Sequence, residues 1–142
     1  MKIAIASDHA GFELKQEIIR SLKDKKHSVK DLGPYSGDFS VDYPDFAGKA
    51  ARLVASKKAS KAVLVCGSGI GMSIAANRFK GVRAASCESP YTAKMCRLHN
   101  DANVLCIGAR ILSKKKAAQI VDIWLSTAFE GGRHRKRVRK LG

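Results

Sequence analysis

The residues best suited to chemistry lie in VCGSGIGMSIAANR, Val65–Arg78, where Cys66 is followed by glycines at 67, 69 and 71. Glycines let a chain turn tightly and aim several N–H groups at one point. Such a nest can hold a phosphate or an oxyanion that develops during reaction. A cysteine beside a helix start is also a candidate thiolate base or nucleophile. The spacing G-S-G-I-G matches neither the G-x-G-x-x-G of dinucleotide sites nor a P-loop, which would carry a lysine. The plain alternative is a tight turn with a structural cysteine.

Three further segments carry candidates. Ser7-Asp8-His9-Ala10-Gly11 follows an apolar run, so the Asp8–His9 pair could orient a hydroxyl and contact an anion, or Asp8 could simply cap a helix. Arg97-Leu98-His99-Asn100-Asp101 closes a helical pattern, where a histidine commonly serves as a cap favoured by the helix dipole. The tail from Glu130 to Lys140 holds Arg133 and Arg137 at i,i+4, which would place both on one helical face able to clamp a phosphate. The same run could be a solvated basic tail or a nucleic-acid contact.

These groups need elements to hold them. KIAIAS (Lys2–Ser7), AVLVC (Ala62–Cys66), VRAAS (Val82–Ser86) and NVLCIG (Asn103–Gly108) read as buried parallel strands, and HSVKDL (His27–Leu32) as a more exposed one. Leu14, Ile18 and Leu22 follow helical spacing, as do Phe46, Ala50 and Val54. Lys115 to Leu125 is another helix, with Ile120, Val121 and Trp124 on one side. This alternation predicts an α/β fold: a Rossmann-like, doubly wound, mainly five-stranded parallel sheet between helices, in three α/β/α layers. With no repeat or linker, residues 1–142 read as one domain with a basic C-terminal segment, 130–142.

In such a sheet ligands sit beyond the carboxyl ends of the strands. Asp8-His9, the Cys66–Gly71 turn and Arg110 all follow strands. His99 precedes the last strand and so belongs at the opposite, amino-terminal edge. If His99 is catalytic, it serves a neighbouring subunit's pocket.

Composition narrows the class. A net charge of +15 predicts affinity for anions without choosing among metabolites, membranes and nucleic acids. Aromatic residues at 6% offer no stacking pattern for nucleic acid. No apolar stretch approaches the ~20 residues of a membrane span, the N-terminus does not read as a signal peptide, and a cytoplasmic location is expected. The four cysteines, Cys66, Cys87, Cys96 and Cys106, show neither CxxC nor metal-ligand spacing, so a disulfide framework is not expected.

Taken in order, SDHAGF, Asp42-Tyr43-Pro44, CGSGIGMSIAAN, RLHNDANVLCIGAR and EGGRHRKRV span residues 7 to 138. The set resembles the B-type ribose-5-phosphate isomerases and the related galactose-6-phosphate isomerase subunits. The resemblance implies an aldose–ketose isomerase of the pentose phosphate pathway, acting on ribose 5-phosphate and ribulose 5-phosphate. It implies a homodimer or dimer of dimers with shared sites, and no metal or organic cofactor. It makes Cys66 the base between C1 and C2, with Ser68 relaying protons and the amides around Gly67, Gly69 and Gly71 stabilising the enediolate. Asp8 and His99 would assist ring opening, Tyr43 and Asn100 would line the pocket, and His9, Arg110, Arg133 and Arg137 would hold the phosphate. Ser68 stands where many relatives carry Thr, and Met72 where another branch has a Glu base, which puts this chain in the cysteine branch. A six-carbon sugar phosphate such as galactose 6-phosphate or allose 6-phosphate is the alternative substrate, and nucleic-acid binding the alternative class.

Overall fold

The computed structural model describes residues 1–142. In chain order the elements are β1 (Lys2–Ser7), α1 (Phe12–Asp24), β2 (Ser28–Asp31), α2 (Tyr43–Ala55), β3 (Lys61–Cys66), α3 (Ile70–Ala76), β4 (Ala84–Ser86), α4 (Pro90–Asn100), β5 (Val104–Gly108), α5 (Lys114–Ser126) and α6 (Arg133–Arg139). The five strands form one parallel sheet in the order β2-β1-β3-β5-β4.

The strands that read as continuous apolar runs take the centre. β1, β3 and β5 are buried along almost their whole length, whereas β2 at one edge and β4 at the other stay partly open. Because side chains alternate across a strand, each central strand feeds two cores. Ile3, Ile5, Val63, Val65, Leu105 and Ile107 pack against α1, α4 and α5. Ala4, Ala6, Ala62, Leu64, Cys66, Val104 and Cys106 face α2 and α3, through Ala47, Ala50, Ala51, Met72 and Ala76. That second layer is built from small side chains, so its helices lie close to the sheet. The result is the expected α/β/α architecture.

Local signals place the helices. α1 buries Leu14, Ile18 and Leu22, and carries Glu13 in its first turn and Lys23 in its last, both favourable to the dipole. Ser89 and Thr92 form a reciprocal capping box at the start of α4. The Ser113 side chain accepts from the Lys116 amide at the start of α5.

The winding reverses between β1 and β3, which are neighbours although the chain leaves them in opposite directions across the sheet. The carboxyl ends of these two strands flank the switch point where open α/β sheets bind ligands. β1 ends at Ser7 and β3 at Cys66.

A candidate active site in two halves

The first half is assembled at this switch point. Cys66 is 5% exposed, and its Sγ accepts the Gly69 N–H at 3.0 Å. That contact depends on Gly69, whose φ of +82° lies in the left-handed region that favours glycine. The Ile70 N–H turns to Ser68 Oγ at 3.3 Å, while the Gly67 and Ser68 amides donate to no group within the chain. Those two amides supply the free donors of the nest. α3 is only seven residues long, so individual N–H groups rather than a macrodipole give the turn its positive character.

The remaining members close around the turn. Asp8 is 8% exposed; its Oδ1 accepts the Gly11 N–H at 3.0 Å, so Asp8 does brace the start of α1. One carboxylate oxygen remains for another partner. His9 Nδ1 accepts the Val41 N–H at 3.2 Å, which puts the ring hydrogen on Nε2 as a donor. Tyr43 lays its ring on Gly71: a Cβ there would stand 2.8 Å from Tyr43 Cζ. Arg110 spans Gly67 in the same way, 3.2 Å from Nη1, and its N–H donates to Gly67 O at 3.0 Å. Asp8, His9, Tyr43, Cys66, Gly67, Ser68, Gly69, Gly71 and Arg110 thus surround one turn.

A cleft of ≈ 730 Å³ opens beside this half and shares His9 with it, but contains neither Cys66 nor the glycine turn.

The other candidates, His99, Asn100, Arg133 and Arg137, lie elsewhere, on α4 and α6. α4 ends among the strand beginnings, where Arg83 Nε donates to Asn100 O at 3.0 Å and the Ala62 N–H to Asn103 O at 3.0 Å. α6 folds back on α4, so His99 and Asn100 share a recess with His134 and Arg137. Arg133 and Arg137 are i,i+4 on α6, as their spacing predicts. Cys66 lies a full strand away: the five steps from Lys61 to Cys66 cover about 17 Å. No histidine side chain bridges that distance.

Residues 3–141 match the family described as Ribose/Galactose Isomerase. The chain belongs to that family. It is 45% identical to ribose-5-phosphate isomerase B of Escherichia coli over 140 residues, covering 99% of this chain and 93% of the relative. The solved ribose-5-phosphate isomerase B of Clostridium thermocellum superimposes with a TM-score of 0.98 at 48% identity, covering 100% of this chain and 95% of that one. A structure of the Mycoplasma genitalium enzyme with bound ribulose-5-phosphate gives a TM-score of 0.96 at 45% identity, covering 99% and 93%.

For a member of this family the surroundings of the site are informative. Met72, at the position where another branch carries Glu, is fully buried in the same α2/α3 core that takes Cys66 and adds no charge to the site. Lys15, which sequence reading passes over, is fully buried. Its Nζ reaches Asp31 Oδ1 and Pro34 O, both at 2.7 Å. It thereby pins the loop after β2, which goes on to supply the Val41 amide to His9. Burial of a lysine that pairs sixteen residues away leaves no local sequence signal.

Glu130 and His134 also escaped assignment, although both lie within the EGGRHRKRV segment. With His99 they form a His/Glu/His cluster whose ligand atoms lie within 4.8 Å of one another. The imidazoles are stacked 13° from parallel, with centroids 4.3 Å apart. An ion ~2.0–2.1 Å from a nitrogen of each ring would lie out of both ring planes, so the arrangement as it stands does not suit a metal.

Proposed function

We propose that this chain interconverts ribose 5-phosphate and ribulose 5-phosphate, with residues 1–142 acting as a single sugar-phosphate isomerase domain. The observation that carries the reading is the Cys66 turn: a nearly buried sulfur held by the Gly69 amide beside two unengaged amides.

In the forward direction Asp8 and His99 assist transfer of the ring proton as the furanose opens. The Cys66 thiolate then removes the C2 proton, and the electron pair moves onto the C1 carbonyl oxygen to give an enediolate. The Gly67 and Ser68 amides face that oxygen, where each such donor is worth on the order of 10²–10³ in rate. Ser68 passes a proton between O1 and O2, and Cys66 returns its proton to C1. Tyr43 and Asn100 line the pocket. His9, Arg110, Arg133 and Arg137 hold the phosphate, and this remote anchoring orients C1 and C2 against the sulfur.

The enzyme works as a homodimer or a dimer of dimers, in which His99, Asn100, Arg133 and Arg137 of one subunit complete the Cys66 half of another. The outer side of α3 supports this reading: Ile70 and Ile74 are 54% and 63% exposed, one helical turn apart and directly beside the glycine turn. No helix is long and apolar enough to cross a membrane. A cytoplasmic setting is supported by the cysteines, all four of them free, including Cys87 and Cys96 with sulfurs 3.8 Å apart.

The test is turnover of ribose 5-phosphate, galactose 6-phosphate and allose 6-phosphate in EDTA, with Cys66→Ala as control. Five-carbon turnover lost in the variant is the expected result. Turnover confined to a six-carbon sugar reassigns the substrate, and no turnover by folded protein refutes the reading.

A further inference from the structure

His99 does not stand alone at the end of α4. Its imidazole lies flat against that of His134, with centroids 4.3 Å apart and planes 13° from parallel. His134 is 5% exposed, and its Nε2 has no hydrogen-bond partner. Glu130 Oε2 lies 3.8 Å from His99 Nε2 and 3.4 Å from His134 Nε2, so one carboxylate oxygen stands near both rings. Glu130 is itself tied to α4, its N–H donating to Leu98 O at 3.1 Å.

The surroundings bear unequally on the two rings. Burial, then His99, Arg133 and Arg137, hold His134 below the ordinary histidine value against the opposing pull of Glu130. His99 keeps 39% of its side chain exposed at the open face of the stack, so it is the ring a ligand can reach.

We propose that His134 is a positioning residue for His99: a flat aromatic shelf that holds the plane of the His99 imidazole beside Glu130 and fixes the direction in which it hands a proton to the sugar ring. This rests on the reading of His99 as the ring-opening group. Stacking removes the ring's freedom to rotate about its side-chain bonds. A misplacement of about 1 Å in a proton-transfer group can cost on the order of 10²-fold.

Ring opening and C2 proton transfer are separate steps, and deuterium at C2 of ribose 5-phosphate reports only the second. The experiment measures kcat/KM and the C2 deuterium isotope effect for the full-length oligomer carrying His134→Ala, His134→Leu or His134→Phe. Leucine fills the volume without a flat ring, which keeps the comparison available if the alanine variant fails to fold. Alanine and leucine are expected to lower kcat/KM by about tenfold or more, part of the 10²–10⁴ assigned to general acid–base groups. Their isotope effect should fall toward one as ring opening becomes limiting. Phenylalanine, which keeps the stack, is expected to stay within about threefold of wild type with an unchanged isotope effect. A His134→Phe enzyme as slow as His134→Leu overturns the shelf and assigns the role to the nitrogen. Slow variants that retain the wild-type isotope effect overturn it in favour of a purely structural role, as does a His134→Leu enzyme of normal rate. Wild-type protein that fails to isomerise refutes the site reading itself, so the two failures are distinguishable.

Discussion

Cys66→Ala and His99→Ala, each inactive alone, should restore activity to one another when their subunits are exchanged. The structure sets the size of the effect. Cys66 ends β3 at the carboxyl edge, while His99 sits where α4 meets the strand beginnings, about 17 Å away along the strand. If each site takes its Cys66 half from one subunit and its His99 half from the other, a mixed dimer has one doubly damaged site and one intact site. Random exchange at equal concentrations makes about half the dimers mixed, so recovery should approach about a quarter of the wild-type rate per subunit.

Exchange would be carried out in mild denaturant, verified by mass-tagged subunits, and followed by ribulose 5-phosphate formation. Recovery should track the mixed fraction, falling as either variant is placed in excess. Verified mixed dimers with no activity would refute the argument, because a site built within one chain remains damaged in every subunit of such a mixture.

Three other perturbations test the supports of the site. Gly108→Ala would put a Cβ 2.8 Å from the Ser68 carbonyl carbon and oxygen, backbone atoms that cannot swing aside. We expect kcat to fall on the order of 10–100-fold with a smaller change in KM, and steady-state kinetics with wild-type kcat would refute it. Lys15→Met removes the fully buried partner of Asp31 and frees the Pro34 carbonyl. Urea unfolding should show a loss of about 3 kcal/mol, largely regained in Lys15→Met/Asp31→Asn, since the penalty is that of an unpaired charge. Lys61, half-buried over Trp124, is pushed down to about 8 from 10.5, first by burial and then by Arg97, with Asp101 opposing. Below about pH 8 folded and unfolded chains both hold the proton and the fold bears the full cost; between there and 10.5 the folded chain releases it first, so this group makes stability rise with pH. Lys61→Met should therefore raise the melting temperature at neutral pH and flatten that rise. Because Lys61 is only half-buried, the gain is on the order of 1 kcal/mol, and unchanged melts across the window would contradict it.

What sequence reading reached and what it missed divide along physical lines. β1, β3 and β5 were legible because burial on both faces turns a strand into a continuous apolar run, and β2 because its alternation marks one open face. β4 is shorter than its apolar run suggests: the Arg83 amide donates to the Asn103 side chain instead of a ladder carbonyl, and the strand begins at Ala84. Cys66, Asp8, His9 and Arg110 were legible as site candidates because strand ends are ligand positions in a parallel sheet. The supports were not. Lys15 meets Asp31, Tyr43 meets Gly71, and His134 meets His99 only through tertiary packing, and no spacing in the chain announces any of these contacts.

The division of the site follows from the first kind of information alone. In an all-parallel sheet every strand carries the chain from the same edge to the same opposite edge, and every crossover brings it back. A residue that follows a strand and a residue that precedes one are therefore separated by the length of the sheet, whatever the intervening side chains. Cys66 ends β3 and His99 precedes β5, so no repacking within one chain brings them together without unwinding a crossover. For these two residues to share a substrate, a second chain must present its amino edge to the carboxyl edge of the first. Once both are assigned to one reaction, the dimer becomes a consequence of strand direction, and the exposed Ile70 and Ile74 beside the Cys66 turn become the natural place to look for the contact.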